Sequence, residues 1–194
     1  MGSIRVDMTM SLDGYVTGPD DGPDAPMGVG GFRLFNWLDK RGDPGSSGDV
    51  YAELMATRAL ISGRRTYELA GRWGGDHHNG VPIFVLTHDI PDETPPGTVR
   101  YLTDVAECAG QARSAVGDGV AAVAGTGAAQ ALLRAGEVDE LQLHVVPVLL
   151  SRGRRLFDHL AAEHLELDLV RQMRTRDLDD PAQHVLHLRY RVRS

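Results

Sequence analysis

The sequence predicts an α/β fold: a mostly parallel central sheet that ends in an antiparallel C-terminal edge hairpin. Three observations carry this reading. Residues 82–87 (PIFVLT) and 120–124 (VAAVA) are unbroken apolar runs, the pattern of strands buried on both faces of a parallel sheet. Two strand–glycine–helix junctions, at 59–69 and 120–135, alternate with other strand patterns. The last three strand patterns, at 141–148, 165–174 and 184–192, follow one another with no helical pattern between them.

The elements then fall in order. Residues 4–10 alternate, with Ile4, Val6, Met8 and Met10 on one face of a first strand. Ser11-Leu12-Asp13-Gly14 ends that strand in a turn, and the Gly-, Pro- and Asp-rich residues 18–31 read as surface loop. A short helix is expected over 32–38 (FRLFNWL), and Asp49 is placed to cap a helix over about 50–57. Strand 59–62 leads through Gly63 into a helix expected over 66–69. After strand 82–87 comes a turn-rich connection at 91–97, a short strand at 99–102 and a helix opened by Asp104. Strand 120–124 passes through Gly125-Thr126-Gly127 into a helix expected over 128–135, which Gly136 stops. No repeat or linker interrupts the chain. One domain over 1–194 is expected, with a loop insertion at about 18–48.

Charge and composition narrow the partners. A net charge of −7 argues against nucleic acid or a membrane surface and leaves a small molecule as the expected ligand. Cys108 is the single cysteine, so an internal disulfide or a cysteine zinc site is not expected, and no metal is assigned. No apolar run reaches the ~18 residues of a membrane span, and no basic segment precedes an apolar stretch at the N-terminus, so cytoplasm is the expected compartment. The strands at 141–148 and 184–192 are long and apolar enough to need covering at an edge, which suggests a homodimer.

The motif with most chemistry is Gly63-Arg64-Arg65-Thr66, at a strand end where a helix begins. Free N–H groups and the helix dipole favour an anion there, and two guanidiniums can fork onto phosphate. The same spacing also fits a capped helix with solvated arginines. Gly125-Thr126-Gly127 repeats the arrangement, although Gln130 stands where a full dinucleotide signature has its third glycine. Together the two turns suit an extended, multi-phosphate cofactor at the carboxyl ends of the strands. Arg154, in the basic loop 152–155, is a candidate for a substrate phosphate. The histidines at 77, 78, 144, 159, 164, 184 and 187 are scattered, and 184–187 reads as a partly exposed edge strand.

In combination, SLDGY after the first strand, GRRTYE after the second, the VAGTGA turn and VDELQLHVVPVLLSRGRRLF resemble the dihydrofolate reductase superfamily. They are most similar to the reductase domain of riboflavin biosynthesis, the RibD C-terminal type. The resemblance covers nearly the whole chain outside 18–48 and implies a three-layer, dihydrofolate reductase-like fold and NADPH as cofactor. It implies Arg64 and Arg65 at the adenosine 2′-phosphate, Thr66 at the phosphates, and Gly63 in the turn that presents them. Gly125, Thr126, Gly127 and Ala128 would hold the pyrophosphate, with Thr87 and His88 beside the adenine ribose. The nicotinamide would pass a hydride to an electron-poor carbon of a small heterocyclic or ribosylaminouracil-type metabolite. Ser11, Asp13, Tyr51 and Arg154 are assigned to the substrate side, and Asp13, Asp49 and Glu53 are the candidate proton donors. Phe32, Phe35 or Trp37 of the insertion would cover the ring as a lid, or pack within the insertion. Dihydrofolate reductase activity, or nucleotide or flavin binding without turnover, are the alternatives.

Overall fold

The computed structural model describes residues 2–94, 97–160, 164–175 and 180–193, so the centre of the 91–97 connection lies outside the described residues. Among the described residues, eight strands form one sheet in the order β4-β3-β2-β5-β1-β6-β8-β7. They are β1 (Ser3–Ser11), β2 (Ala59–Gly63), β3 (Ile83–Leu86), β4 (Val99–Leu102), β5 (Val120–Ala124), β6 (Glu140–Val146), β7 (Leu167–Arg174) and β8 (Leu186–Val192). The first six run parallel, and β8 pairs antiparallel with both β6 and β7. The hairpin expected at the C-terminal edge is therefore present, with the last strand inserted between β6 and β7.

The sheet is flanked by the α-helices α1 (Ser46–Met55), α2 (Arg64–Leu69), α3 (Val105–Val116) and α4 (Thr126–Arg134). One sheet face carries Ile4, Val6, Ile61, Phe84, Val123, Leu141 and Leu143 and buries them against α3 and α4. Each such side chain contributes about 1.5–3 kcal/mol when fully removed from water. The other face packs Leu60, Ile83 and Val85 beneath Tyr67 of α2 and Leu54 of α1. On β1 that face also carries Arg5, Asp7 and Thr9, because side chains alternate along a strand.

Several bounds differ from the sequence expectation, and each has a local cause. Helix α1 starts at Ser46, after Gly45 at φ 127°, so Asp49 lies inside its first turn and does not cap it. Helix α2 starts directly after Gly63, which puts Arg64 and Arg65 in its first turn. Helix α4 likewise starts at Thr126. Strand β6 stops at Val146, before Pro147, which has no N–H to donate to a ladder. The short helix expected over 32–38 is present, as a 3-10 helix over Gly31–Lys40 that buries Leu34 and Trp37. Finally, β6 and β8 are both interior strands, so the edge argument for a homodimer fails; β7 is the open edge on that side.

Candidate active site

A cleft of about 1600 Å³ opens beyond the carboxyl ends of the parallel strands. One half is built by the two glycine turns. Strands β2 and β5 are neighbours, with Ser62 opposite Ala124, so the turns that follow them lie side by side. Their contact is close: a Cβ on Gly125 would stand 2.2 Å from Thr66 Oγ1, and Gly125 has φ +92°. No side chain caps α2 or α4 at these turns, so their first N–H groups have no side-chain acceptor. Gly63, Arg64, Arg65, Thr66, Thr87, His88, Gly125, Thr126, Gly127 and Ala128 all line the cleft. Thr87 turns its hydroxyl onto Asp89 O at 2.9 Å.

The arginines are already engaged. Arg64 Nε donates to Glu68 Oε1 at 2.9 Å and its Nη1 to Asp89 O at 3.0 Å. Arg65 Nη2 and Arg154 Nε both donate to Asp21 Oδ2, at 2.8 and 2.7 Å. Asp21 thus ties the start of the insertion to both sides of the cleft. The Arg64–Glu68 pair is 38% and 42% exposed, so a phosphate can replace that contact at small cost; the Asp21 carboxylate is only 10% exposed and holds its two arginines more firmly.

The other half has an apolar wall and a polar floor. Phe35, Trp37 and Leu38 of the insertion and Tyr51, Leu54 and Met55 of α1 form the wall. Phe32, a lid candidate, is 64 % exposed and outside the lining. The floor carries Asp7, Thr9 and His144. His144 Nε2 lies 2.9 Å from Asp7 Oδ1, and its Nδ1 lies 2.7 Å from His187 Nδ1. Trp37 packs over both imidazoles and donates Nε1–H to Thr9 Oγ1 at 3.3 Å.

Four of the residues expected here have other roles. Ser11 Oγ donates to Asp13 Oδ1 at 2.6 Å, and Asp13 accepts from the backbone N–H groups of Leu150 and Ser151. The SLDG turn is a clasp onto the chain after β6, and neither residue lines the cleft. Asp49 is exposed on α1 and also outside it. Glu53 is held by Arg171, at 2.6 and 2.8 Å, and by Arg189 at 2.5 Å. Conversely, sequence reasoning missed Asp7, Thr9, His144 and His187. Asp7 and Thr9 had a signal in the polar alternation of Arg5, Asp7 and Thr9 opposite an apolar face; His144 and His187 had none that was local.

Comparison with known proteins decides the family. Residues 3–177 match the family model described as RibD C-terminal domain. The chain belongs to the RibD C-terminal domain family. Two solved structures similar to this RibD C-terminal domain protein show its fold. A protein assigned to riboflavin biosynthesis from Shewanella sp. PV-4 is 20% identical, with 99% of each chain covered and a TM-score of 0.71. Dihydrofolate reductase from Enterococcus faecalis, complexed with NADP(H) and RAB-propyl, is 15% identical, with 99% of this chain and 97% of that chain covered and a TM-score of 0.64. No curated protein sequence matches. The family supports a reductase-type function. No helix among the described residues is long and apolar enough to cross a membrane.

The ionisable groups of this RibD-type domain have marked shifts. Hydrogen bonds from Arg171, with the charge of Arg189, hold the Glu53 carboxyl down at about 2. It therefore has no proton to give near neutrality. Burial, then the neighbouring His144, pushes His187 down to about 3. Burial and His78 push His77 down to about 4. A histidine kept neutral when folded binds its proton first in the unfolded chain, so stability falls as pH drops below 6.5. For His187 the loss by pH 5 is about 2 kcal/mol, at roughly 1.4 kcal/mol per pH unit. Glu53 adds its own loss only between 4.5 and about 2. Urea midpoints should therefore fall from pH 7 to pH 5, and by less in His187→Gln. A flat wild-type midpoint over that range contradicts this.

Proposed function

We propose that the protein is an NADPH-dependent reductase of a small heterocyclic or ribosylaminouracil-type metabolite, as in riboflavin biosynthesis. The carrying observation is the pair of glycine turns pressed together at Gly125 and Thr66, with Arg64 and Arg65 on the rim, in one cleft with a polar floor. The chain's residues fit the cofactor: the turns offer uncapped N–H groups to phosphates, and the cleft is large enough for an extended two-part ligand. Bound there, NADPH would supply a hydride.

Each part of the cleft then has a task. Arg64 and Arg65 hold the 2′-phosphate, and Thr66 with Gly125–Ala128 holds the pyrophosphate. Trp37, Phe35 and Leu54 exclude water and press the acceptor ring towards the floor, where donor and acceptor carbons must approach to ~3–3.5 Å. Asp7 takes the proton-donor role in place of Asp13, Asp49 and Glu53, because it is the floor carboxylate beside His144. Arg154 and Tyr51 remain at the substrate side of the lining. With Glu53 bound to two arginines, α1 presents no free acid to the cleft.

Steady-state NADPH oxidation with dihydrofolate and with the phosphorylated ribosylaminouracil of riboflavin biosynthesis tests the reading. Turnover of the aminouracil above that of dihydrofolate is expected. Tight NADPH binding without turnover of either would overturn it in favour of a non-catalytic nucleotide-binding protein.

A further inference from the structure

We propose that Ser47, His187 and His144 form a proton relay that starts at a second groove beside α1 and ends on Asp7 at the floor of the cleft. The proposal rests on the reductase reading for its purpose, but its geometry stands alone. The two histidines face each other directly across β6 and β8. Their side chains and that of Asp7 are all more than nine-tenths buried. Trp37 lies over both rings, with centroids at 4.7 and 5.1 Å, and keeps water from them.

In the relay His144 is neutral, and the remaining hydrogen positions follow from that. A carboxylate accepts only, so the contact of 2.9 Å with Asp7 Oδ1 puts a proton on His144 Nε2. With a neutral ring, His144 Nδ1 then carries a lone pair. At 2.7 Å it accepts from Nδ1–H of His187. His187 Nε2 is left bare and faces the Ser47 hydroxyl at 3.4 Å. Every donor therefore points the same way, from Ser47 to Asp7. Burial favours the neutral form of the His187 ring.

The two ends open to different spaces. Asp7 and His144 line the cleft, whereas Ser47 lines a separate groove of about 760 Å³ between the start of α1 and strands β7 and β8. The charged groups around the relay are Arg5, Glu53, Arg171 and Arg189. Arg5 Nε stands 3.4 Å from Asp7 Oδ2, an oxygen that makes no hydrogen bond.

Proton accounts balance over one shift of the chain. Ser47 takes a proton from solvent and passes its own to His187 Nε2. His187 Nδ1–H moves to His144 Nδ1, and His144 Nε2–H moves to Asp7 Oδ1. Asp7 would then give that proton to the acceptor that bound NADPH would reduce, so one proton enters at the groove and one leaves at the cleft. Ser47 and His187 are positioning and transfer residues; Asp7 is the one that meets substrate.

Two measurements on the full chain test this. Nitrogen-15 NMR of the imidazoles should show His144 protonated on Nε2 and His187 on Nδ1; a His187 protonated on Nε2 overturns the relay. This readout needs neither cofactor nor substrate, so it decides the relay even where the reductase reading fails. With NADPH and the aminouracil, Ser47→Ala should lower kcat about a hundredfold, within the range of general acid–base effects, with a larger solvent isotope effect. KM and NADPH affinity should hold, and Ser47→Thr should restore the rate. An unchanged kcat and isotope effect in Ser47→Ala overturns the proposal.

Discussion

Gly125→Ala is expected to abolish NADPH binding and to destabilise the fold by about 2–6 kcal/mol. Two costs combine. At φ +92° a side chain is strained, which costs ~1–3 kcal/mol. The new Cβ also stands 2.2 Å from Thr66 Oγ1 and 2.8 Å from Thr66 Cβ. A rotamer change frees the oxygen but not the Cβ, so α2 and the β5–α4 turn must separate, an overpacking cost of ~1–3 kcal/mol. That separation dismantles the phosphate cradle. Gly63→Ala provides the contrast: its Cβ meets Ala128 N at an ordinary 3.5 Å, and Gly63 has φ −73°. Its stability should stay within about 0.5 kcal/mol of wild type. Urea denaturation and calorimetric titration of both variants check this. A Gly125→Ala protein that binds NADPH normally contradicts the cradle.

Glu53→Gln is expected to act on stability. The carboxylate bridges Arg171 and Arg189, whose side chains are 30% and 15% exposed. Removing its charge leaves two partly buried guanidiniums facing each other. A fully buried pair loses ~3–5 kcal/mol when one partner goes. Glu53 is itself 33% exposed, and solvent screening reduces this to about 1–3 kcal/mol. Catalytic acids behave in the opposite way, losing turnover with the fold intact. Denaturation and kcat measured on one preparation separate the two, and lost turnover at unchanged stability would restore Glu53 as the proton donor.

Local chemistry made much of the architecture legible. The apolar runs at 82–87 and 120–124 marked buried parallel strands, and Gly63 and Gly125 marked the turns after β2 and β5. These signals lie within a few residues of one another. The floor of the cleft was hidden for the opposite reason. His144 and His187 are 43 residues apart and meet only because β8 inserts beside β6. Nothing local foretells that insertion, and the same step made β6 and β8 look like edge strands. Glu53 misled similarly, since Arg171 and Arg189 arrive from β7 and β8. Ser11 and Asp13 satisfy each other and the chain at 150–151. Polar residues at a strand end served the turn, which spacing alone cannot tell from a ligand contact.

The central claim is that the rim beside Gly63 holds the 2′-phosphate of NADPH. Calorimetric titration of wild type and Arg64→Ala with NADPH and with NADH tests it most directly, because the two cofactors differ only in that phosphate. Wild type should bind NADPH well above NADH. Arg64→Ala should lose about tenfold or more of NADPH affinity, the worth of a charge-assisted hydrogen bond, with NADH affinity unchanged. Equal, millimolar-weak binding of both cofactors to wild type, or an Arg64→Ala variant that keeps the full preference, would contradict the account.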